Sequence, residues 1–193
     1  MRIGVFGGSF DPPHLGHVAV ANAAQQHANL DVILFVPAGQ QWQKQHFASS
    51  DLRSHMVSLI IRQHTDWLLS SVDIDRQTPT YTIDTLHDIA QQFKDAELFF
   101  IVGHDAATKL ESWHRSQELA ALCSFLVIAR PGHDDQLPQG FKIEVISAIT
   151  PDVSSSGIRA LVSTLPDEEK LGALAPLVGD DVAKFITSTG LYS

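Results

Sequence analysis

The sequence predicts an α/β protein with a Rossmann-like, doubly wound, mainly parallel sheet and helices on both faces. Three observations predict it. Apolar runs of strand length recur along the chain. Those runs are nearly continuous rather than alternating, as strands buried on both faces are. Segments of helical spacing separate them, which implies parallel strands joined by right-handed crossovers.

Taken in order, "IGVF" (3–6) is the first strand, and the chain turns into a helix near Leu15. "VILFVP" (32–37) is the second. The polar, glutamine-rich stretch 39–51 reads as a loop over a site, and Val57, Ile60, Ile61 and His64 share one helical face after it. "WLLSSVDI" (67–74) is the third strand. Ile83, Leu86, Ala90 and Phe93 then mark a helix over 82–94. "ELFFIVG" (97–103), "FLVIARPG" (125–132) and "IEVISAI" (143–149) complete the set, with 131–140 as an exposed loop. A helical segment starts at about 155 and ends in a helix around 179–188, with Gly190 as its stop. A chain of 193 residues buries roughly 70% of its unfolded surface, so 1–193 reads as one domain.

Charge narrows the partners. Thirteen Lys and Arg face 22 Asp and Glu, a net −9, which repels nucleic acid and anionic membrane unless basic groups cluster locally. Any anionic ligand must be held by a local site. The single cysteine, Cys123, excludes an internal disulfide and sits where a buried thiol is expected. No apolar stretch approaches the roughly 20 residues that span a bilayer, and "MRIGVFGG" is too short and glycine-interrupted for a signal peptide. A soluble, cytoplasmic protein is expected. Oligomeric state is not legible.

The chemistry concentrates in "IGVFGGSFDPPHLGH" (3–17). In open parallel sheets ligands bind beyond the carboxyl ends of strands, which is where these residues fall. Gly7 and Gly8 let a ligand approach the backbone, Asp11-Pro12-Pro13 forces a turn, and the helix that follows offers free N–H groups and a positive dipole end. His14 and His17 add two donors there, suited to successive phosphates of a nucleotide. A zinc pair lacks a third ligand nearby. "GVFGGSF" does not carry Gly-x-Gly-x-x-Gly, and there is no Walker lysine. A second anion site follows at "VSSSGIR" (153–159), where Ser154, Ser155 and Ser156 can cap a helix and Arg159, one turn in, can direct its guanidinium at phosphate.

"GGSFDPPHLGH" resembles the phosphate motif of the nucleotidyltransferase superfamily that shares HxGH with class I aminoacyl-tRNA synthetases, and "VSSSGIR" resembles that superfamily's second phosphate element. "TPTYTIDTL" (78–86), "FFIVGHDA" (99–106), "ESWHR" (111–115), "VPAGQQWQK" and "GLY" are similar to elements of bacterial nicotinate mononucleotide adenylyltransferases, in order and spacing. The resemblance covers nearly the whole chain. It implies catalytic roles for His14, His17 and Arg159, and ATP contacts at Gly7, Gly8, Ser9, Phe10, Lys44, Asp105, Ser155 and Ser156. It also implies a pyridine nucleotide pocket at Tyr81, Thr82 and Trp113. Pantetheine-phosphate adenylyltransferases share the two phosphate motifs and are the alternative, as is the amide mononucleotide.

A cationic ring bearing a carboxylate is held best by an aromatic face and by hydroxyl or N–H donors, which suits Trp113 and Thr82. Trp113 can instead be a core residue, Thr82 a helix cap, and Asp105 a cap for 106–111. Where relatives carry Pro-His-Lys or Pro-His-Arg this chain has "QWQKQ" (41–45), with Lys44 in the basic role and Trp42 unassigned. The implied reaction is attack of a mononucleotide phosphate on the α-phosphorus of ATP. The nucleophile is a monoester whose second pKa is about 6, so no general base is needed. Mg2+ is expected to arrive with ATP rather than in a protein cage, and no metal ligands are assigned. "GHD" and "GHDD" suggest His-Asp phosphohydrolases, but those are helical. A nucleotide-binding regulatory module would lack the second pocket. A transfer-RNA ligand is disfavoured by charge.

Overall fold

The computed structural model describes residues 1–39, 47–129 and 136–193; Trp42 and Lys44 lie outside them. Six strands form one sheet: β1 (Arg2–Gly8), β2 (Val32–Pro37), β3 (Trp67–Leu69), β4 (Glu97–Gly103), β5 (Ser124–Ile128) and β6 (Ile143–Ile146). Their order is β3-β2-β1-β4-β5-β6 and every pairing is parallel. The predicted class therefore holds. Between them run α1 (Leu15–Ala28), α2 (Ser50–Ile61), α3 (Thr82–Gln92), the short α4 (His104–Ala107), a 3-10 turn at Leu110–Ser112 and α5 (Ser116–Leu122). Three helices follow the sheet: α6 (Ser155–Thr164), α7 (Asp167–Val178) and α8 (Asp180–Thr189).

The continuous apolar runs are explained by two-sided burial. Ile3, Val5, Leu34, Val36, Leu98, Phe100, Phe125 and Val127 pack on one face with Ile83, Leu86, Ile89 and Leu119 of α3 and α5. The alternate residues, Phe6, Ile33, Phe35, Phe99, Ile101, Leu126 and Ile128, pack on the other with Ala21, Ala24, Val57 and Ile61 of α1 and α2. Strand periodicity of two makes both sets apolar at once. A third cluster joins α6, α7 and α8 to Ala48 and Met56. Cys123 is buried in the first cluster, as expected, and burial pushes its thiol up to about 12.

Three boundaries differ from the sequence reading. The third strand stops at Leu69 rather than 74, because Ser71 and Asp75 bond locally, Oγ to Oδ2 at 2.6 Å and N–H to carbonyl at 2.9 Å, and so draw the chain off the ladder. The sixth ends at Ile146 rather than 149. The fifth ends at Ile128, and 130–132 of its predicted span lie outside the described residues. Helix α7 falls inside the helical segment expected from about 155, with its own boundaries unmarked in the sequence reading. Its acidic first turn, Asp167, Glu168 and Glu169, suits a helix N-terminus, but Pro176 sits within it. The helix expected around 179–188 is α8, stopped by Gly190 in the left-handed region (φ 65).

The sheet reverses its winding between β1 and β4, leaving a crevice beyond Gly8 and Gly103. One glycine at its edge is there for close approach: a Cβ on Gly39 would lie 2.0 Å from the carbonyl oxygen of Asp73. Gly39→Ala must therefore move backbone and should cost about 2 kcal/mol or more. Gly172→Ala, in α7 with nothing within 4 Å, should gain about 0.5–1 kcal/mol. Urea midpoints of the two variants check both signs.

Candidate active site

The first constellation is built by the β1–α1 junction. The chain leaves β1 through Ser9 and Phe10, passes a cis Asp11–Pro12 peptide, and enters α1 with His14 at the N-cap. The His14 N–H donates to His17 Nδ1 at 3.1 Å, and the two imidazoles lie 3.8 Å apart, centroid to centroid. Gly16 allows this, since a Cβ there would meet His14 Nδ1 at 2.9 Å. Phe10 and Phe6 pack against His17 from below, at 5.0 and 5.9 Å.

Burial drives the His14 imidazole down to about 4. His17 falls well below the ordinary imidazole value for the same reason, helped by repulsion from His14. Both rings are therefore neutral near pH 7. Because His17 Nδ1 accepts a hydrogen bond, its proton resides on Nε2, which stays a donor without a charge. His14 Nδ1 is buried with no partner among the described residues, a cost that a ligand at this spot would remove.

The second constellation lands on the first. Ser154 caps α6, accepting from the Gly157 N–H at 3.1 Å. Ser155 Oγ donates to the Pro12 carbonyl at 2.8 Å, and Arg159 Nη1 donates to the Asp11 carbonyl at 2.6 Å. The Arg159 guanidinium also lies 4.3 Å over the Phe47 ring. Ser156 is exposed and within 3.2 Å of Ser154 Oγ.

A cavity of about 690 Å3 occupies the crevice. Of the residues singled out in the sequence, Gly7, Gly8, Ser9, Tyr81, Thr82, Asp105 and Trp113 line it. His14, His17, Arg159, Ser155 and Ser156 do not; they form the adjoining α1 mouth, reached along Gly8 and Ser9. Trp113 packs against the core and also borders the cavity. Its ring meets Phe100 and Phe125 edge-on at 5.9 and 6.5 Å, and the residue lines the cavity. Thr82 is the first residue of α3 and Tyr81 holds the N-cap position, so Thr82 is not the cap; Asp105 likewise falls inside α4, whose N-cap is Gly103. Phe10 as a whole is 1% exposed and does not line the cavity. Ser155 spends its hydroxyl on Pro12.

Sequence reasoning missed several residues. His114 stacks on Tyr81 at 4.3 Å and 30° and lines the cavity, as do Thr80, Lys109, Asp73 and Thr85. Asp73 is 8% exposed, receives the Thr85 hydroxyl at 2.6 Å, and is raised to about 6, chiefly by burial. Arg53 is 1% exposed and donates to the carbonyls of Ser9, Ala38 and Ala48. Asp11 accepts from Phe47, Ala48 and Tyr192. An acidic residue inside the apolar run 67–74 is the one local signal for Asp73; nothing local marks Arg53.

The family model described as cytidylyltransferase-like matches residues 5–161. A probable nicotinate-nucleotide adenylyltransferase of Clavibacter michiganensis subsp. michiganensis is 40% identical over 198 residues, covering 100% of this chain and 94% of the relative. One of Exiguobacterium sibiricum is 32% identical, with 100% of both chains covered. The fold is also that of a Plasmodium falciparum nicotinic acid mononucleotide adenylyltransferase solved with NaAD, with a TM-score of 0.81 at 20% identity over 99% of this chain and 97% of that one.

The buried ionisable groups set a pH dependence. The Asp73 carboxyl, raised to about 6, costs stability above that pH, by about 3 kcal/mol at most, and the cost vanishes as pH falls toward 4. His14, lowered to about 4, works oppositely: it costs nothing above 6.5 and about 3 kcal/mol near pH 4. In the wild type the two largely offset. Asp73→Asn should therefore be more stable than wild type at pH 8, and should lose that advantage as pH falls from 6 to 4, in urea titrations at each pH.

Proposed function

We propose, from the premise that this chain belongs to the cytidylyltransferase-like family, that it transfers the adenylyl group of ATP to nicotinate mononucleotide. The products are deamido-NAD and pyrophosphate, and the enzyme serves NAD biosynthesis in the cytoplasm. The observation that carries the reading is an aromatic, hydroxyl-lined cavity at the switch point of the sheet together with a second group of donors, His14, His17 and Arg159, gathered at the start of α1. Two anionic substrates need two such places. Among the described residues no helix is long and apolar enough to cross a membrane.

In this reading the pyridine nucleotide lies in the cavity, its ring against Trp113 and its carboxylate met by Thr82 and main-chain N–H groups near Tyr81. ATP lies along Gly7, Gly8, Ser9 and Asp105, with its phosphates at His14, His17, Arg159, Ser155 and Ser156. Lys44 is assigned to the same phosphates on sequence alone. An oxygen of the mononucleotide phosphate attacks the α-phosphorus, a new P–O bond forms, and the bond to the β-phosphate oxygen breaks with pyrophosphate leaving. The nucleophile is already ionised near neutrality, so positioning and charge stabilisation are the main tasks.

Neutral His17 suits that work. It donates from Nε2 to a non-bridging oxygen without needing a proton from solvent, and the α1 dipole adds to it. Among the described residues no group of three His, Cys, Asp or Glu is placed to hold a metal ion. We read Mg2+ as carried by ATP because it is a hard cation that keeps phosphate oxygens and water as its ligands.

Pyrophosphate release should be fastest with nicotinate mononucleotide when it is compared with nicotinamide mononucleotide and phosphopantetheine, each with ATP and Mg2+. A higher rate with either of the others replaces the substrate assignment. His17→Ala should lower kcat by about 10² or more; near-normal turnover would remove His17 from the reaction.

A further inference from the structure

We propose that Tyr192 is a positioning residue for the ATP phosphate site, acting through Asp11 and Phe47 to set the guanidinium of Arg159. The proposal rests on the reading of Arg159 as a phosphate ligand.

Asp11 is 3% exposed and lies three residues before His14. Its Oδ2 accepts the Phe47 N–H at 2.7 Å, and its Oδ1 accepts the Ala48 N–H at 3.2 Å and the Tyr192 hydroxyl at 2.6 Å. The Asp11 carbonyl takes the Arg159 Nη1 at 2.6 Å. Phe47, whose N–H is fixed by the carboxylate, lays its ring under the same guanidinium, although 71% of that residue is exposed. Two of the supports of Arg159 therefore trace back to one buried residue, Asp11: its main-chain carbonyl directly, and the Phe47 ring through its carboxylate.

Tyr192 is the only side chain in this set that donates to that carboxylate among the described residues. Without its hydroxyl, Oδ1 keeps only the longer bond from Ala48, and the carboxylate is less constrained in holding Phe47. The hydroxyl is a constant donor rather than a switch, because burial and the Asp11 hydrogen bond both push its ionisation far above the working range. Helix α8, stopped at Gly190, delivers Tyr192 to this point, and α8 is itself packed through Val182, Ala183 and Ile186 on the cluster that contains Ala48 and Met56. Arg53 holds the carbonyls of Ser9, Ala38 and Ala48, so the surrounding frame stays in place when the tyrosine hydroxyl is removed.

The test is steady-state kinetics of the full chain for Tyr192→Phe, Arg159→Lys and the double variant, well below the lowest Tm of the set. Tyr192→Phe should raise KM for ATP about tenfold, the size expected for a hydrogen bond to a charged group, while KM for nicotinate mononucleotide stays within about twofold. The double variant should be no worse than Arg159→Lys alone, as for residues acting in one chain of contacts. Phe47→Leu, on an exposed side chain, should raise KM for ATP about two- to fivefold and keeps the test open if Tyr192→Phe folds poorly. An unchanged KM for ATP in Tyr192→Phe, or additive effects in the double variant, overturns the proposal even if Tm falls, because a merely structural contact would do only that. An unchanged KM in Phe47→Leu overturns the route through the ring. Unaltered kinetics in Arg159→Lys would overturn the phosphate role of Arg159, and the proposal with it.

Discussion

Two hydrogen bonds between segments almost 150 positions apart hold the candidate site together: Arg159 to the Asp11 carbonyl and Ser155 to the Pro12 carbonyl. Both acceptors belong to the turn that aims α1 at the crevice. The start of α6 is thereby fixed against the start of α1, and two helix N-termini converge on one small volume. Each contributes unpaired N–H groups and the positive end of a dipole. On a chain of net charge −9, such a local concentration of donors is what a polyphosphate requires.

The second constraint is electrostatic. A charged imidazole pair 3.8 Å apart would repel itself and, buried, would pay a further desolvation cost. The fold avoids this by keeping both rings neutral and by locking the His17 tautomer through the His14 N–H. Neutral, oriented donors bind an anion without stored repulsion in the free protein. Asp73 shows the same logic in the neighbouring cavity: a carboxyl kept at a cost beside Thr85, in a place where a core would use an apolar side chain.

Much of this was legible in the sequence, for reasons that can be named. Strands buried on both faces write themselves as unbroken apolar runs, so β1, β2 and β4 were placed closely. His14, His17, Ser154 and Arg159 stood out because helix starts and phosphate donors have short-range spacing. What escaped was non-local or masked by local competition. Asp11 looked like a turn residue, and its partners Phe47, Ala48 and Tyr192 lie 36 to 181 positions away. Arg53 sits on α2 in a segment whose sequence reads as an ordinary amphipathic helix, yet it is wholly buried among carbonyls. The third strand was overextended because Val72 and Ile74 continue the apolar pattern past the point where Ser71 and Asp75 pair with each other.

The central claim is that the mouth of α1 presents neutral histidines of fixed tautomer to a polyphosphate. Nitrogen-15 NMR of the imidazoles, with and without a non-hydrolysable ATP analogue, tests it most directly. In the free protein at pH 7, His17 should show a proton on Nε2 and none on Nδ1, and His14 should titrate near 4; with the analogue, both sets of resonances should shift and the His14 titration should move upward. A His17 that carries its proton on Nδ1, a pair already charged near pH 6.5, or resonances indifferent to the analogue would contradict it.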